Sequence, residues 1–188
     1  MQIASRTIIV FGLSGVGKST TCQQFVARHP RYTHISASRL LKDATGAHGE
    51  ELRVTAESTI QSNQGRIGYA LDLHRLKLNG RPIVVDAHSV IDNDQMLVPV
   101  PTQAIASMRP DAMVFLEEEP EIILQRRLKD LRQRPVRTSE ELKQQQCVAK
   151  KTVIDYSNSL GIPLSIGLVR NLEDFEALLR ACHVEIDA

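Results

Sequence analysis

The segment most typical of a chemical function lies near the amino terminus and reads Gly12-Leu13-Ser14-Gly15-Val16-Gly17-Lys18-Ser19. It matches the pattern G-x-x-x-x-G-K-[ST] in full. Glycines in this pattern let backbone N–H groups turn toward an anion, and the helix that follows adds a positive dipole. The Lys18 ammonium is expected to reach the β- and γ-phosphates of a nucleotide. The loop therefore predicts an ATP site with these contact residues: Gly12, Ser14, Gly15, Val16, Gly17, Lys18, Ser19 and Thr20.

A second candidate group is Asp86, which ends the apolar run from Ile83. A carboxylate at a strand end in a protein with such a loop is typical of a residue that holds Mg²⁺, directly or through water. The hydroxyl of Ser19 is the expected protein ligand of the same ion. We therefore expect Ser19 and Asp86 to form a metal site, with a helix or turn cap as the alternative for Asp86. His88 follows two residues later and is a candidate contact for the substrate.

An arginine-rich segment follows in the second half of the chain, with five arginines within twelve residues: Arg126, Arg127, Arg132, Arg134 and Arg137. Phosphoryl transfer needs positive charge where negative charge develops, and it needs water to be kept away. Guanidinium groups suit the first need because they bind phosphate oxygens in pairs. We therefore expect a lid at about residues 130–139. A solvated basic surface is the alternative interpretation.

The phosphate acceptor is expected to bind a polar, helical segment over residues 36–80. This segment lies between two predicted strands, which in a doubly wound sheet places it over the carboxyl edge, where ligands bind. Arg39 and Arg53 are candidates to hold a second phosphate, and Gln64 is a candidate to contact a base. An ordinary helical hairpin with solvent-facing polar residues is the alternative.

These candidate residues need a scaffold, and short apolar runs predict its strands. Uninterrupted apolar runs suit strands that are buried on both faces of a parallel sheet. The predicted strands are Thr7–Phe11, Tyr32–Ile35, Ile83–Asp86, Ala112–Leu116 and Pro163–Ile166.

Helical patterns separate the strands, with apolar residues recurring at spacings of three, four and seven. They run from Ile60 to Leu78, from Pro120 to about Lys129, from Leu142 to Leu160 and from Leu172 to Ile186. Thr138 and Glu141 have the spacing of a capping box, and glycines 80 and 161 follow two of the helices as stops. Strands that alternate with helices predict a doubly wound α/β fold, formed here as one domain over residues 1–188.

Composition excludes several classes of protein. The formal net charge is +1, which argues against a surface adapted as a whole to nucleic acid. The three cysteines are far apart and form no C-x-x-C pair, so free thiols in a reducing compartment are expected rather than disulfides or zinc. No apolar stretch approaches the roughly 18 residues of a membrane helix. We therefore expect a cytoplasmic protein without a membrane partner.

Beyond the loop, three segments resemble archaeal-type adenylate kinases. They are Val84-Val85-Asp86-Ala87-His88, Arg109-Pro110-Asp111, and the run Arg126-Arg127-Leu128-Lys129-Asp130-Leu131-Arg132-Gln133-Arg134. The last is similar to the family's lid motif R-R-L-x-D-x-x-R-x-R. The resemblance covers nearly the whole chain and keeps the order and spacing of the motifs.

This resemblance implies a P-loop NTPase of the nucleoside monophosphate kinase type, with a five-stranded parallel sheet, a monophosphate-binding segment and a lid. It also implies the reaction ATP + AMP ⇌ 2 ADP with Mg²⁺, and a possible homo-oligomer. Lys18 corresponds to the phosphate-binding lysine, and Arg53 to the arginine that binds the monophosphate. Arg127, Arg132 and Arg134 correspond to lid arginines and, with Lys18, to catalytic residues.

The chain also departs from the family pattern. Pro135 stands where an acidic residue is usual, Gln145 replaces a histidine, and Ala149 and Lys150 stand in place of Asn and Arg. Residues 36–41 lack the common Gly-Asp pair of the acceptor segment.

Two other functions stay open at this point, and nucleic-acid binding is a weaker fourth option that the basic segment alone does not establish. One is a small-molecule P-loop kinase in which Asp86 orients an acceptor hydroxyl. The other is an ATP-hydrolysing switch or assembly factor. A GTPase is not expected because no N-K-x-D segment occurs in the sequence.

Overall fold

Strands and helices alternate along most of the described chain. The computed structural model describes residues 6–45, 66–130 and 135–186. The strands are β1 (Thr7–Phe11), β2 (Thr33–Ser36), β3 (Ile83–Asp86), β4 (Val90–Asp92), β5 (Leu97–Pro99), β6 (Ala112–Glu117) and β7 (Leu164–Leu168). The helices are α1 (Lys18–Arg28), α2 (Ala37–Thr45), α3 (Ile67–Lys77), α4 (Thr102–Ser107), α5 (Pro120–Lys129), α6 (Ser139–Leu160) and α7 (Leu172–Ala181).

Five strands form one parallel sheet in the order β2-β3-β1-β6-β7. All five residues of β1 are buried, as a strand covered by helices on both faces requires. The parallel pairing confirms the predicted α/β class and the five-stranded sheet. The arrangement also brings the carboxyl ends of β1 and β3 side by side, so that the residues after Phe11 lie next to Asp86.

Alternate side chains of the sheet belong to two hydrophobic cores, one on each face of the sheet. Ile9 and Phe11 pack on one face together with residues of α3, α4 and α6. Ile8, Val10 and Val84 pack on the opposite face with α1 and α7. In the described ranges no helix combines the length and apolar character needed to cross a bilayer.

The local signals for helix ends are confirmed. Pro120 opens α5, and Thr138 and Glu141 form a capping box at the start of α6. Gly161 ends α6 in the left-handed conformation with φ of 66°. The part of the first helical pattern before residue 66 lies outside the described residues, while the remainder is α3.

Two features differ from the prediction. The pattern from Leu172 to Ile186 is helical only to Ala181, because the chain turns at His183, where φ is 57°. Ile186 still packs on the core from outside the helix. The antiparallel hairpin β4–β5 was not predicted, although Asn93 and Asp94 between two β-rich runs are typical turn residues.

Candidate active site

The glycine-rich loop joins β1 to α1 and takes a conformation that only glycine adopts without strain. Gly12, Gly15 and Gly17 have φ values of 148°, 96° and 105°. A Cβ atom on Gly12 would lie 2.8 Å from the carbonyl oxygen of Leu116 and 2.9 Å from Cγ1 of Val16. The close approach of the loop to β6 therefore depends on glycine at position 12.

Lys18 is the first residue of α1, and its ammonium is buried under the loop. The residue is 6% exposed, and Nζ donates to the carbonyl oxygens of Gly12 at 2.7 Å and Leu13 at 2.9 Å. A buried ammonium is costly unless it is hydrogen-bonded, and these two carbonyls supply that compensation. The positive charge is thus fixed at the N-terminus of a helix, where anions are already favoured.

Asp86 lies beside the loop and is held from two neighbouring elements. Its Oδ2 atom accepts a hydrogen bond of 2.8 Å from Nε2 of His34 on β2, and the Ser19 hydroxyl on α1 also stabilises its charged form. Burial alone would raise the pKa of Asp86, but these interactions and the charge of Lys18 outweigh it and hold the pKa below its usual range. The group is therefore an ionised carboxylate, and it accepts a hydrogen bond from His34.

A polar cleft of about 420 Å³ opens over these groups. Its floor is the loop and the start of α1, and its walls come from the ends of β2 and β3 and from α5. The lining residues are Ser14, Gly15, Gly17, Lys18, Ser19, Thr20, Gln23, His34, Ser36, Ser38, Asp86, His88, Arg126 and Asp130.

Two arginines of α5 contact the loop directly. Nη1 of Arg126 donates to the carbonyl of Val16 at 2.8 Å, and Nε of Arg127 donates to the carbonyl of Ser14 at 2.8 Å. Arg126 also forms an ion pair with Glu118 at 3.0 Å. The start of the arginine-rich segment therefore lies at the loop and is not a separate basic surface.

The predicted site residues fall into three groups. The cleft contains Ser14, Gly15, Gly17, Lys18, Ser19, Thr20, Asp86 and His88. Four others are described but do not line it, namely Gly12, Val16, Arg39 and Arg127. Gly12 and Val16 belong to the loop itself. Arg127 contacts Ser14, and Arg39 is exposed on α2. Arg53, Gln64, Arg132 and Arg134 lie outside the described residues.

Six residues that line the cleft are not among the site residues predicted from sequence: Gln23, His34, Ser36, Ser38, Arg126 and Asp130. Arg126 was grouped with its neighbours without a role in the site. Gln23 follows one turn after Ser19 on α1, and that spacing is its only signal. His34 belongs to β2, and the pairing of Ser36 with Asp86 in the parallel register was needed to place it beside Asp86.

Two of the departures from the family pattern form contacts away from the cleft. Gln145 donates to Oδ2 of Asp92 at 2.8 Å, and Lys150 pairs with Glu117 at 2.7 Å. Neither side chain lines the cleft. These two substitutions therefore lie outside the described lining of the cleft.

The donor atoms at the cleft fit Mg²⁺ better than a transition metal. Ser19 and Asp86 present oxygen atoms side by side, and oxygen is the ligand that Mg²⁺ prefers. Mg²⁺ usually keeps several waters and takes further ligands from substrate phosphates, so two protein oxygens are enough. Within the described ranges no cluster of three or more histidine, cysteine or acidic side chains is arranged to hold a metal.

Comparison with known proteins gives consistent results. A family model described as an AAA domain matches residues 11–143. An adenylate kinase of Pyrococcus abyssi is 29% identical over an alignment of 181 residues, and the alignment covers 90% of this chain and 88% of that protein. An adenylate kinase homolog of Methanothermobacter thermautotrophicus is 26% identical, over 95% of this chain and 92% of that protein.

A similar fold occurs in a solved structure. Shikimate kinase from Acinetobacter baumannii, in complex with shikimate, superposes with a TM-score of 0.61 at 14% identity and covers 98% of this chain and 97% of that chain. At this identity the likeness concerns the fold alone. The match over residues 11–143 includes the loop, both contact arginines and the strand that ends at Asp86. The chain therefore belongs to the AAA domain family, and it is an adenylate kinase-like P-loop phosphotransferase.

Proposed function

We propose that this chain is an ATP-dependent nucleoside monophosphate kinase that acts on AMP, with the reaction ATP + AMP ⇌ 2 ADP. The observation that carries the proposal is the grouping of Lys18, Ser19 and Asp86 under one loop at the edge of the sheet. The similarity to archaeal adenylate kinases over about nine-tenths of the chain supports AMP as the acceptor.

The loop binds the phosphates of the donor nucleotide. Its backbone N–H groups and the N-terminus of α1 supply partial positive charge, and Lys18 adds a full charge at the same place. Because Lys18 is already fixed by two carbonyl oxygens, little reorganisation is needed when negative charge develops on the transferred group.

Ser19 and Asp86 are the residues that hold Mg²⁺ in this proposal. When bound, Mg²⁺ neutralises negative charge on the phosphates and aligns them. Asp86 stays ionised for this role because its hydrogen bonds keep its pKa low. The Ser19 hydroxyl, which helps to lower the pKa of Asp86, also offers lone pairs to a cation.

The arginines of α5 and the segment after it stabilise the transferring group. Arg126 lines the cleft and Arg127 lies against the loop, so both are within the region where charge develops. We assign Arg132 and Arg134 to the same task on the strength of the lid motif. No covalent intermediate on the protein is needed, since positioning and charge neutralisation account for catalysis of phosphoryl transfer.

The acceptor is assigned to the side of the cleft formed by β2 and α2. His88 lines the cleft and is proposed to contact it. Arg39, Arg53 and Gln64 are proposed to bind its phosphate and base.

The direct test is a coupled assay of ADP formation from ATP with each nucleoside monophosphate in turn. ADP formation that depends on AMP, at a stoichiometry of two ADP for each AMP, supports the proposal. ATP turnover that no monophosphate accelerates contradicts it. Lys18→Ala is the control, because it is expected to remove phosphoryl transfer and leaves the residues proposed to bind the acceptor unchanged.

A kinase with a hydroxyl acceptor is the second candidate. Ser36 and Ser38 line the cleft near Asp86 and are hydrogen-bonded to each other at 3.1 Å, a neutral surface that suits a polyol. Assays with ATP and a panel of hydroxyl acceptors, with the products identified by mass spectrometry, distinguish this candidate from the AMP kinase. Hydrolysis that only a partner protein accelerates indicates the third alternative, a switch or assembly factor.

A further inference from the structure

His34 contacts the strand-end carboxylate through the geometry of two neighbouring parallel strands. Ser36 of β2 pairs with Asp86 of β3, and His34 pairs with Val84. Residues two apart on a strand share a face, so His34 and Asp86 are diagonal neighbours on one face of the sheet. Val84 on that face packs against α1, which carries Ser19. The imidazole and the hydroxyl therefore reach Asp86 from two different elements.

The carboxylate has little freedom between these two contacts. The side chains of His34 and Asp86 are 12% and 10% exposed, and Nε2 lies 2.8 Å from Oδ2. An aspartate has only two side-chain torsions, and the terminal one is intrinsically broad, so a hydrogen bond to one oxygen restricts the orientations of the carboxylate. The range of directions in which the second oxygen can point is thereby narrowed as well.

We propose that His34 is a positioning residue for the metal-nucleotide complex, because it holds the Asp86 carboxylate turned toward Ser19 and the glycine-rich loop. The inference rests on the proposed function, since the ion arrives with the nucleotide. His34 does not bind the ion or the phosphates in this role. Groups that orient a metal-binding carboxylate through a hydrogen bond typically change metal affinity or activity by about 10–100-fold when removed.

A second histidine in the same protein provides a matched control. His29 also donates to a buried carboxylate, Glu176, at 2.8 Å, and its side chain is likewise 12% exposed. It follows the last residue of α1 and contacts α7, so it lies at the opposite end of α1 from Ser19. Loss of either imidazole removes a similar contact, but only His34 faces the cleft.

The experiment measures how Mg²⁺ affects binding of a fluorescent, non-hydrolysable ATP analogue. Wild type, His34→Leu, His34→Gln and His29→Leu are titrated with the analogue in EDTA and then at increasing Mg²⁺. Binding of Mn²⁺ to each analogue complex is followed in parallel by electron paramagnetic resonance. Thermal unfolding and circular dichroism confirm that each variant is folded.

His34→Leu is expected to raise the half-saturating Mg²⁺ concentration at least about tenfold, with affinity in EDTA unchanged. His34→Gln places an amide donor near the position of Nε2 and is expected to recover most of the loss. His29→Leu is expected to behave as wild type in Mg²⁺ dependence. The inference is overturned if His34→Leu and His29→Leu have the same Mg²⁺ dependence, or if His34→Gln is as impaired as His34→Leu.

These readouts separate the inference from the proposed function. They use no acceptor, so they remain valid whichever molecule receives the phosphate. Failure of the wild-type protein to bind the analogue with Mg²⁺ contradicts the proposed function and with it the inference. Metal-dependent binding that His34→Leu leaves intact contradicts the inference alone.

Discussion

Arg137 binds Asp92 through both carboxylate oxygens, at 2.9 and 3.1 Å, and so attaches the residues just before α6 to the β4–β5 hairpin. Gln145 adds a third hydrogen bond to the same carboxylate at 2.8 Å. Arg137 was grouped with phosphate-binding arginines by sequence, yet in this structure it is engaged in holding two parts of the fold together. Its contribution is therefore expected to appear in stability.

Asp92→Asn is expected to lower the free energy of unfolding at pH 7 by about 1–2 kcal/mol, because hydrogen bonds to a charged group are lost while solvent partly screens the pair. Burial would raise the pKa of Asp92, but Arg137 and Gln145 outweigh it and lower the pKa. Because the pKa of Asp92 is lower in the folded than in the unfolded state, its ionisation stabilises the fold at pH values above about 4, the ordinary pKa of an aspartate. This stabilisation is lost as the pH falls through the folded-state pKa.

The difference in the free energy of unfolding between wild type and Asp92→Asn should therefore become smaller below about pH 4. Urea unfolding over a pH series measures it. Asp155→Asn is the control, because Asp155 pairs with Lys151 at 2.8 Å on the surface, where the side chains are 57% and 76% exposed. Solvent-exposed ion pairs contribute little to the free energy of unfolding. An equal effect of the two substitutions would show that the Arg137 pair is an ordinary surface contact.

Lys18→Ala is expected to reduce phosphoryl transfer by at least about 100-fold, since a preorganised positive group at the site of developing charge is removed. The helix itself should persist, because alanine is favourable in helices. Steady-state kinetics measure the loss, and circular dichroism checks the fold. Lys151→Ala, on the exposed surface of α6, is the control and should retain wild-type turnover. Undiminished turnover by Lys18→Ala would contradict the donor half of the mechanism.

The parts of the structure that sequence predicted are those encoded locally. The strand Ile83–Asp86 is an uninterrupted apolar run, and the capping box of Thr138 and Glu141 depends on residues three positions apart. Both can be recognised without knowledge of the rest of the chain. The same holds for the loop, whose glycines specify their own backbone conformation.

The parts that sequence did not predict depend on contacts between distant segments. His34 reaches Asp86 only because β2 pairs with β3 in one register, over a separation of 52 residues. The partner of Arg137 is Asp92, 45 residues away on a hairpin whose strands have only three residues each. Periodicity cannot detect so short a strand, and a cluster of arginines does not reveal which member binds an anion and which binds a carboxylate.

Gly12→Ala is expected to destabilise the protein by at least about 2 kcal/mol and to abolish ATP-analogue binding. The new Cβ would meet the Leu116 carbonyl oxygen at 2.8 Å, in a backbone conformation with φ of 148° that alanine rarely adopts. Gly161→Ala is the matched control, because Gly161 also has positive φ but has no atom within 4 Å of the new Cβ.

Chemical denaturation and analogue titration measure both glycine variants. Gly161→Ala should cost only about 1 kcal/mol, the strain of the left-handed conformation, and should bind the analogue normally. Normal analogue binding by Gly12→Ala would mean that the loop can move away from β6 without loss of its anion site.

Arg127→Ala tests whether the arginine that lies against the loop takes part in transfer. Nε of Arg127 donates to the carbonyl of Ser14 at 2.8 Å, so the guanidinium is held against the glycine-rich loop. We expect kcat to fall about 100-fold with a smaller change in the KM for ATP, because charge stabilisation is needed most in the transition state. Arg127→Lys should recover only part of the rate, since an ammonium lacks the paired donors of guanidinium.

Arg28→Ala is the control for this substitution. Arg28 ends α1 and forms an exposed ion pair with Glu173 at 2.7 Å, so its loss removes a guanidinium of the same chain away from the cleft. It should leave kcat and KM unchanged. If Arg127→Ala instead raises the KM for ATP and leaves kcat intact, Arg127 supports ground-state binding through the loop, and stabilisation of the transferring group must be assigned to Arg126 or to the arginines that follow.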